Sequence, residues 1–399
     1  MASTSPKITD SLQFPDNLDV TKTFYGFGAV GLIASGVGYF LNAEQFFFSY
    51  LTSFAFFTSI GLASLILLMI HHITRSSWGV VIRRIPEAFA SNLWIWSIFI
   101  IPILLGMHSL YHWTHADYVA QDPILAGKTA YLNTPFFVIR QFIYFGIWGF
   151  LGYKLHKISV DMDKTNDWGL MELLKKLSAP GILIFAITIA FASFDWLMSL
   201  DPHWFSTMFG IYYFAMSFQA LFPILILIIF WMHKKGILEN TIQKSHIYDL
   251  GAWFFGFTIF YAYIAFSQFL LIYYANIPEE TLWFYHRLEG SWAYISYSLI
   301  ICRFAIPFIV LLNRDTKHNH KVLISVSILV IAMHIIELYW IVMPTLHHHG
   351  VSISWLDFTT LIGLGGIFMG LFFQRLKKHK LVPVNDPNLP DSLHKTYHQ

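Results

Sequence analysis

The chain has 399 residues, of which 56% are hydrophobic and only 12% charged, with a formal net charge of +2 and a single cysteine. Soluble domains carry about 25% charged residues, so this apolar content exceeds what one soluble core encloses. A cytosolic enzyme, a nucleic-acid binder and a secreted disulfide scaffold are excluded. Cys302 alone builds no disulfide, no four-thiolate iron–sulfur cluster and no C-x-x-C-H haem attachment within the chain.

A helix that crosses a membrane needs about 20 mostly apolar residues, because the hydrocarbon layer is roughly 30 Å thick and a helix rises about 1.5 Å per residue. In chain order the stretches of that length are Thr23–Leu41, Gln45–Ile70, Ala88–Leu110, Thr134–Tyr153, Ala179–Leu200, Phe205–Met232, Leu250–Ala275, Gly290–Leu312, Val322–Met343 and Ser352–Phe373. They lack period-two alternation and far exceed a barrel strand of about ten residues. The first reads as a retained span and not a signal peptide, since it lacks a basic leader and follows a polar, Pro-containing segment.

Lysine and arginine orient the spans. One side takes Lys7 and Lys22, then Arg75, Arg83 and Arg84, then Lys154, Lys157, Lys164, Lys175 and Lys176. The same side takes Lys234, Lys235 and Lys244, then Arg314, Lys317 and Lys321, and finally Arg375, Lys377, Lys378, Lys380 and Lys395. That makes 21 of the 25; the other side holds Lys128 and Arg287, and Arg140 and Arg303 fall inside spans. The positive-inside rule then predicts cytoplasmic termini. Trp94, Trp113, Trp168, Trp204, Trp231 and Trp283 fall near span ends, where an aromatic belt is expected. Glycines cluster in the first span (Gly26, Gly28, Gly31, Gly36) and the last (Gly363, Gly365, Gly366, Gly370), and Gly366 with Gly370 forms a small-xxx-small pair suited to close helix packing.

Spans two to five and six to nine look like two copies of one four-helix unit. His72 and His233 stand 161 residues apart, Glu87 and Asp249 162, and Arg140 and Arg303 163. Asp195 and Glu337 each precede a proline (Pro202, Pro344) by seven residues, with a separation of 142 attributed to a long loop over 154–177. An even number of spans per unit makes this a parallel repeat. The expected fold is an all-α integral membrane protein with ten transmembrane helices: two parallel-repeat four-helix bundles plus two peripheral helices. The expected segments are an N-terminal segment (1–22), the first helix (23–42), bundle A (43–204), bundle B (205–344), the tenth helix with its outer loop (345–374) and a cytoplasmic tail (375–399).

A charge within a span costs several kcal/mol unless paired or hydrated, so such residues are functional candidates. In the first unit these are Arg140 and Asp195, with His108, His112 and His115 at i, i+4, i+7 on one face of a continued helix. In the second they are Arg303, His334 and Glu337, with Asp357 in the last span. Arg140 with Asp195 and Arg303 with Glu337 read either as structural ion pairs or as quinone or proton sites. A b-type haem would need His108 or His112 to face His334, and the run His347-His348-His349 reads as a solvated loop before a metal site. Pro102, Pro223 and Pro307 should kink their spans. No nucleotide-binding, zinc-protease or serine-hydrolase motif is present in the sequence.

The stretch Phe194-Asp195-Trp196-Leu197-Met198-Ser199-Leu200-Asp201-Pro202-His203-Trp204-Phe205-Ser206-Thr207 resembles one typical of the ActF subunits of bacterial alternative complex III. That complex is a quinol:cytochrome c oxidoreductase, and such subunits carry the label "quinone-binding subunit 2". The likeness runs through the ten spans and extends distantly to the NrfD and polysulfide-reductase membrane anchors. It implies partners: a multihaem cytochrome c subunit, an iron–sulfur subunit, the sister ten-helix quinol subunit, small membrane anchors and a monohaem cytochrome c. A haem–copper oxidase would associate, and lipids would surround the chain. It implies no covalently bound cofactor and no redox metal in this chain, with quinone or quinol (menaquinone or ubiquinone) as the small molecule. The residues leave quinone binding, proton translocation and scaffolding open, as well as an autonomous secondary transporter or a b-type cytochrome.

Overall fold

The structure, a computed structural model, describes residues 8–165, 167–348 and 350–394. Lys7, Lys395 and His349, which enter the readings above, lie outside the described residues. Among these residues there is no strand, the regular secondary structure is all helix, and ten helices are long and apolar enough to cross a membrane. The chain is a multi-pass membrane protein.

The helices are α1 (Thr21–Leu41), α2 (Ala43–Thr74), the interrupted span α3 (Arg84–Leu105), α4 (Thr134–Thr165), α5 (Gly169–Trp196), α6 (Phe209–Lys234), α7 (Lys244–Ala275), the span α8 (Trp292–Leu312), α9 (His320–Val342) and α10 (Trp355–Leu376). α2 is the central element, 94% buried over its apolar window, and it touches α3, α5, α6, α9 and α10. Within the rest, α4 packs on α5, α6 on α7 and α9, and α7 on the second half of α8.

Four readings change at this level. The segment 154–177 is not a long loop: α4 continues to Thr165 and α5 begins at Gly169. Lysines end the apolar run there, but backbone hydrogen bonds of a helix need no lipid, so both helices continue beyond the hydrocarbon. The third span is a series of short helices, Arg84–Ala90, Leu93–Trp96, a 3₁₀ turn Ser97–Ile100, Ile101–Leu105 and Met107–Leu110. Pro102 has no N–H to donate to the turn before it, which relaxes the ladder where the 3₁₀ turn sits. The helix ends at Leu110 with Tyr111 extended, so His108, His112 and His115 do not share one helical face. Finally Trp113, Trp204 and Trp283 are buried and do not form a lipid-facing belt; Trp204 stacks on Trp283 at 4.4 Å between ring centroids.

Arg75 and Asn276 end α2 and α7 in the left-handed conformation. α8 contains a wide π turn over Leu299–Ala305, with Pro307 just beyond it. Such turns accommodate one residue more per hydrogen-bonded ring, and this one carries Arg303 at full burial.

α1 and α10 meet backbone to backbone. A Cβ on Gly31 would stand 2.4 Å from the Gly363 nitrogen, and one on Gly366 would stand 2.2 Å from the Gly28 nitrogen. A larger residue must push the two helices apart. Gly31→Leu is expected to cost about 1–3 kcal/mol and to lower the melting temperature of the solubilised protein. Gly36→Leu, where a Cβ meets nothing within 4 Å, should leave it unchanged.

The segments before α1 and after α10 meet on the face that carries the basic loops. The Leu381 amide donates to the Leu12 carbonyl at 2.8 Å, and the Asp10 carboxylate accepts from the Asn240 and Thr241 amides at 2.9 and 2.7 Å.

Candidate functional site

Two buried clusters sit inside the spans, each built on one carboxylate and one guanidinium. In the first, Arg140 of α4 grips Asp195 of α5 with both ends of its fork, Nε to Oδ2 at 2.8 Å and Nη2 to Oδ1 at 2.9 Å. Bidentate geometry gives such pairs direction as well as strength. Two phenols complete the carboxylate: Tyr131 donates to Oδ1 and Tyr144 to Oδ2, each at 2.9 Å. The guanidinium lies 3.9 Å from the Tyr131 ring centroid and 4.3 Å from that of Phe136, a favourable arrangement for a cation over aromatic faces. Behind the pair, Trp196 donates to the Gln141 carbonyl at 2.7 Å.

The second cluster repeats this composition from different helices. Arg303 of α8 lies 2.6 Å from Glu337 of α9. Tyr212 of α6 and Tyr261 of α7 both donate to Glu337 Oε1, the latter at 2.6 Å. Arg303 also donates to Gln219 at 3.2 Å, to the Met216 carbonyl at 3.1 Å and to His334 Nδ1 at 3.1 Å. Because Nδ1 accepts, Nε2 carries the proton and donates to Ser59 at 2.9 Å. Arg303, His334, Glu337 and Asp195 are fully buried. Phenol–carboxylate contacts of this length are proton-transfer distances, so each cluster offers a donor–acceptor pair held beside a fixed positive charge.

His108 and His112, expected beside Asp195, are exposed. His108 stacks on His115 with ring centroids 3.6 Å apart, and His115 bonds the His108 carbonyl at 2.8 Å. Neither His108 nor His112 contacts Asp195 among the described residues; Tyr131, Tyr144 and Gln141 take that place. His334 faces Ser59 and Arg303, with both ring nitrogens engaged, and so offers no lone pair to a haem iron. Of the triple-histidine run, His347 donates to Gln45 Oε1 at 2.8 Å. Asp357 accepts from Ser49 at 2.5 Å and caps its own helix at Ser354.

His112 instead lines a cavity of about 400 Å³ with His203, His286, His348, Asp201 and Arg287. The cavity meets the chain just beyond both carboxylate helices, at Leu200–Pro202 after α5 and at Pro344 and Thr345 after α9. Arg287 is 3% exposed and donates to the carbonyls of Trp283, Trp340 and Ile341 at 2.9, 3.1 and 2.8 Å, with its Cζ 3.6 Å from the Trp283 ring centroid. Burial pulls the guanidinium down to about 9, and Asp201 across the cavity offsets part of that. Burial likewise lowers His112, with His115 and His348 adding to the effect.

A third cluster surrounds Glu87, which the sequence marks only as a landmark of the repeat. Arg83 and Arg84 stand just before it in the sequence, but its other partners come from α4 and from the chain beyond α10, which no local pattern reveals. No protein-family model matches this chain, and no curated protein matches it.

Proposed function

We propose that the chain is an integral membrane subunit of a respiratory quinol:cytochrome c oxidoreductase of the alternative complex III kind, in which two like-directed four-helix units move protons. On this reading α2–α5 and α6–α9 are the units, α1 and α10 are the peripheral pair, and both termini face the bacterial cytoplasm. The partners and the absence of a resident redox metal follow the resemblance of the Phe194–Thr207 stretch. The observation that carries the proton reading is a construction that occurs twice: one carboxylate, one guanidinium and two phenols, buried in the spans at corresponding places in α4/α5 and α8/α9. The tyrosines come from non-corresponding places, Tyr131 from the turn before α4, Tyr144 from α4, Tyr212 from α6 and Tyr261 from α7, so the chemistry recurs although the residues supplying it do not. The phenols satisfy the carboxylate's remaining lone pairs and at the same time set an exchangeable proton beside it, and intramembrane polar clusters mark ion pathways by default.

Quinone binding is the second reading, and the cavity favours it. Its wall sets Arg287 as donor and Asp201 and His112 as acceptors around apolar Leu125, Leu200 and Pro344, which suits a ring with oxygens at opposite ends. A b-type cytochrome has less support, since His334 has no free ring nitrogen.

The test is to purify the tagged chain from its native membrane. Co-purification with c-type haem and quinol-driven cytochrome c reduction is the expected result. In that complex Asp195→Asn and Glu337→Gln should each lower the protons released per electron. Unchanged turnover and unchanged proton release in both variants would leave scaffolding alone. A haem-free chain that carries solute across liposomes by itself would replace the proposal with secondary transport. Leu200→Trp should weaken a tight-binding quinone analogue if the cavity holds quinone, and unaltered affinity removes that second reading.

A further inference from the structure

The face opposite the basic loops carries only two of the chain's 25 lysines and arginines, Lys128 and Arg287. The fold brings both to one place. Lys128 ends the short helix Pro123–Lys128 before α4, and Arg287 sits near the end of the helix Pro278–Leu288 before α8. Arg287 lines the cavity beyond α5 and α9, and Lys128 donates to the carbonyl of Pro202, another residue of the cavity wall, at 2.6 Å.

Among the described residues every hydrogen bond from either cation goes to a backbone carbonyl, and neither meets a carboxylate. Carbonyl dipoles at the end of α9 steady the Arg287 guanidinium but carry no net charge. A buried cation without a counter-ion is costly, and Arg287, although pulled down to about 9, stays charged at neutral pH. Asp201 lines the same cavity and acts on both cations through space without touching either. Asp122, the other acid of the wall, is held by His203 and caps the Ile124 and Leu125 amides.

Arginine has five N–H donors. Arg287 spends three on carbonyls, which leaves one on each Nη without a partner among the described residues. Guanidinium forks take two oxygens of a single phosphate or carboxylate. His112, His286 and His348 also face the cavity, and a neutral imidazole carries one N–H in either tautomer. A metal ion does not suit this donor set: among the described residues no three His, Cys, Asp or Glu side chains are arranged to hold one.

We propose that the cavity is an oxyanion site, in which a phosphate group sits against Arg287 and Lys128 with the imidazoles as further donors. Its volume of about 400 Å³ is near the small end for ligand pockets, and Leu125, Leu200 and Pro344 offer an apolar wall to the carbon side of a phosphate ester. The site lies just past the ends of two spans, at the depth of lipid headgroups, so the phosphate comes either from a phospholipid or from a free oxyanion. The inference is independent of the respiratory proposal, and it gives the cavity a charged occupant in place of the neutral quinone of the second reading.

The test uses the full-length chain, exchanged into a phosphorus-free neutral detergent and titrated with radiolabelled inorganic phosphate at constant ionic strength in chloride. Saturable binding at one site per chain is expected. Lys128→Gln should weaken it about tenfold, and Asp201→Asn should strengthen it severalfold, because the acid that repels the anion is gone. Arg287→Gln should abolish binding; if that variant does not fold, the other two carry the test. One phosphorus per chain that survives the exchange and leaves in Lys128→Gln supports the site with a lipid headgroup as occupant. A phosphorus-free chain that binds added phosphate supports it with a free oxyanion. A chain that neither retains phosphorus nor binds phosphate overturns the proposal, as does binding unmoved in Lys128→Gln or weakened in Asp201→Asn. The last variant also parts this inference from the quinone reading, since loss of the Asp201 acceptor should weaken a quinone analogue while it strengthens phosphate. None of these outcomes bears on whether the chain joins an oxidoreductase.

Discussion

Replacing Arg303 with methionine is expected to destabilise the protein by about 3–5 kcal/mol, the range for removing one partner of a buried ion pair. The substitution leaves the Glu337 carboxylate with two phenols but no positive charge, in a site with no exposed surface. It also strips donors from Gln219, the Met216 carbonyl and His334, so that three further polar groups lose a partner. Arg303→Met combined with Glu337→Gln should recover most of the loss, because the neutral amide no longer needs the cation while the phenols keep an acceptor. Denaturation midpoints of the two variants in one detergent check this. A double variant as unstable as the single one would mean that Arg303 acts mainly through Gln219 and Met216.

Arg84→Met should be comparably severe, about 3–5 kcal/mol, for a different reason. Arg84 ties the head of α3 to α4 by bonding Glu87, Ser159 and Asp163 together. Without it, Arg83 alone faces three carboxylates. Removing one of those carboxylates as well, in Arg84→Met with Asp163→Asn, should restore part of the stability. Arg84→Lys should fall between, since a lysine keeps the charge but cannot span both carboxylates with a planar fork.

Ten crossings were legible because hydrocarbon thickness sets a length that composition alone reveals. The two ion pairs were also within reach: Arg140, Asp195, Arg303 and Glu337 are charges in apolar runs, and such charges must find each other. What surrounds them was not. Tyr131, Tyr144, Tyr212 and Tyr261 are four of 20 tyrosines, and nothing in their local sequence sets them apart from those that face lipid. His108 and His112 drew attention by spacing, yet spacing has meaning only along an unbroken helix, and this one stops at Leu110. The segment 154–177 misled in the opposite direction, since charge ends a hydropathy signal without ending a helix.

The sequence alone determined how often the chain can cross a membrane and which residues could not face lipid, because the hydrocarbon layer imposes a fixed length and a steep penalty on charge. Only the tertiary structure decided what those residues meet. Glu87, beside its neighbours Arg83 and Arg84, gathers His156 and Ser159 from α4, and Asp386 reaches Arg83 from 303 positions away. Hydrogen bonds and ion pairs act over a few ångströms, and which groups come that close depends on how whole helices dock, something that local patterns along the chain do not encode.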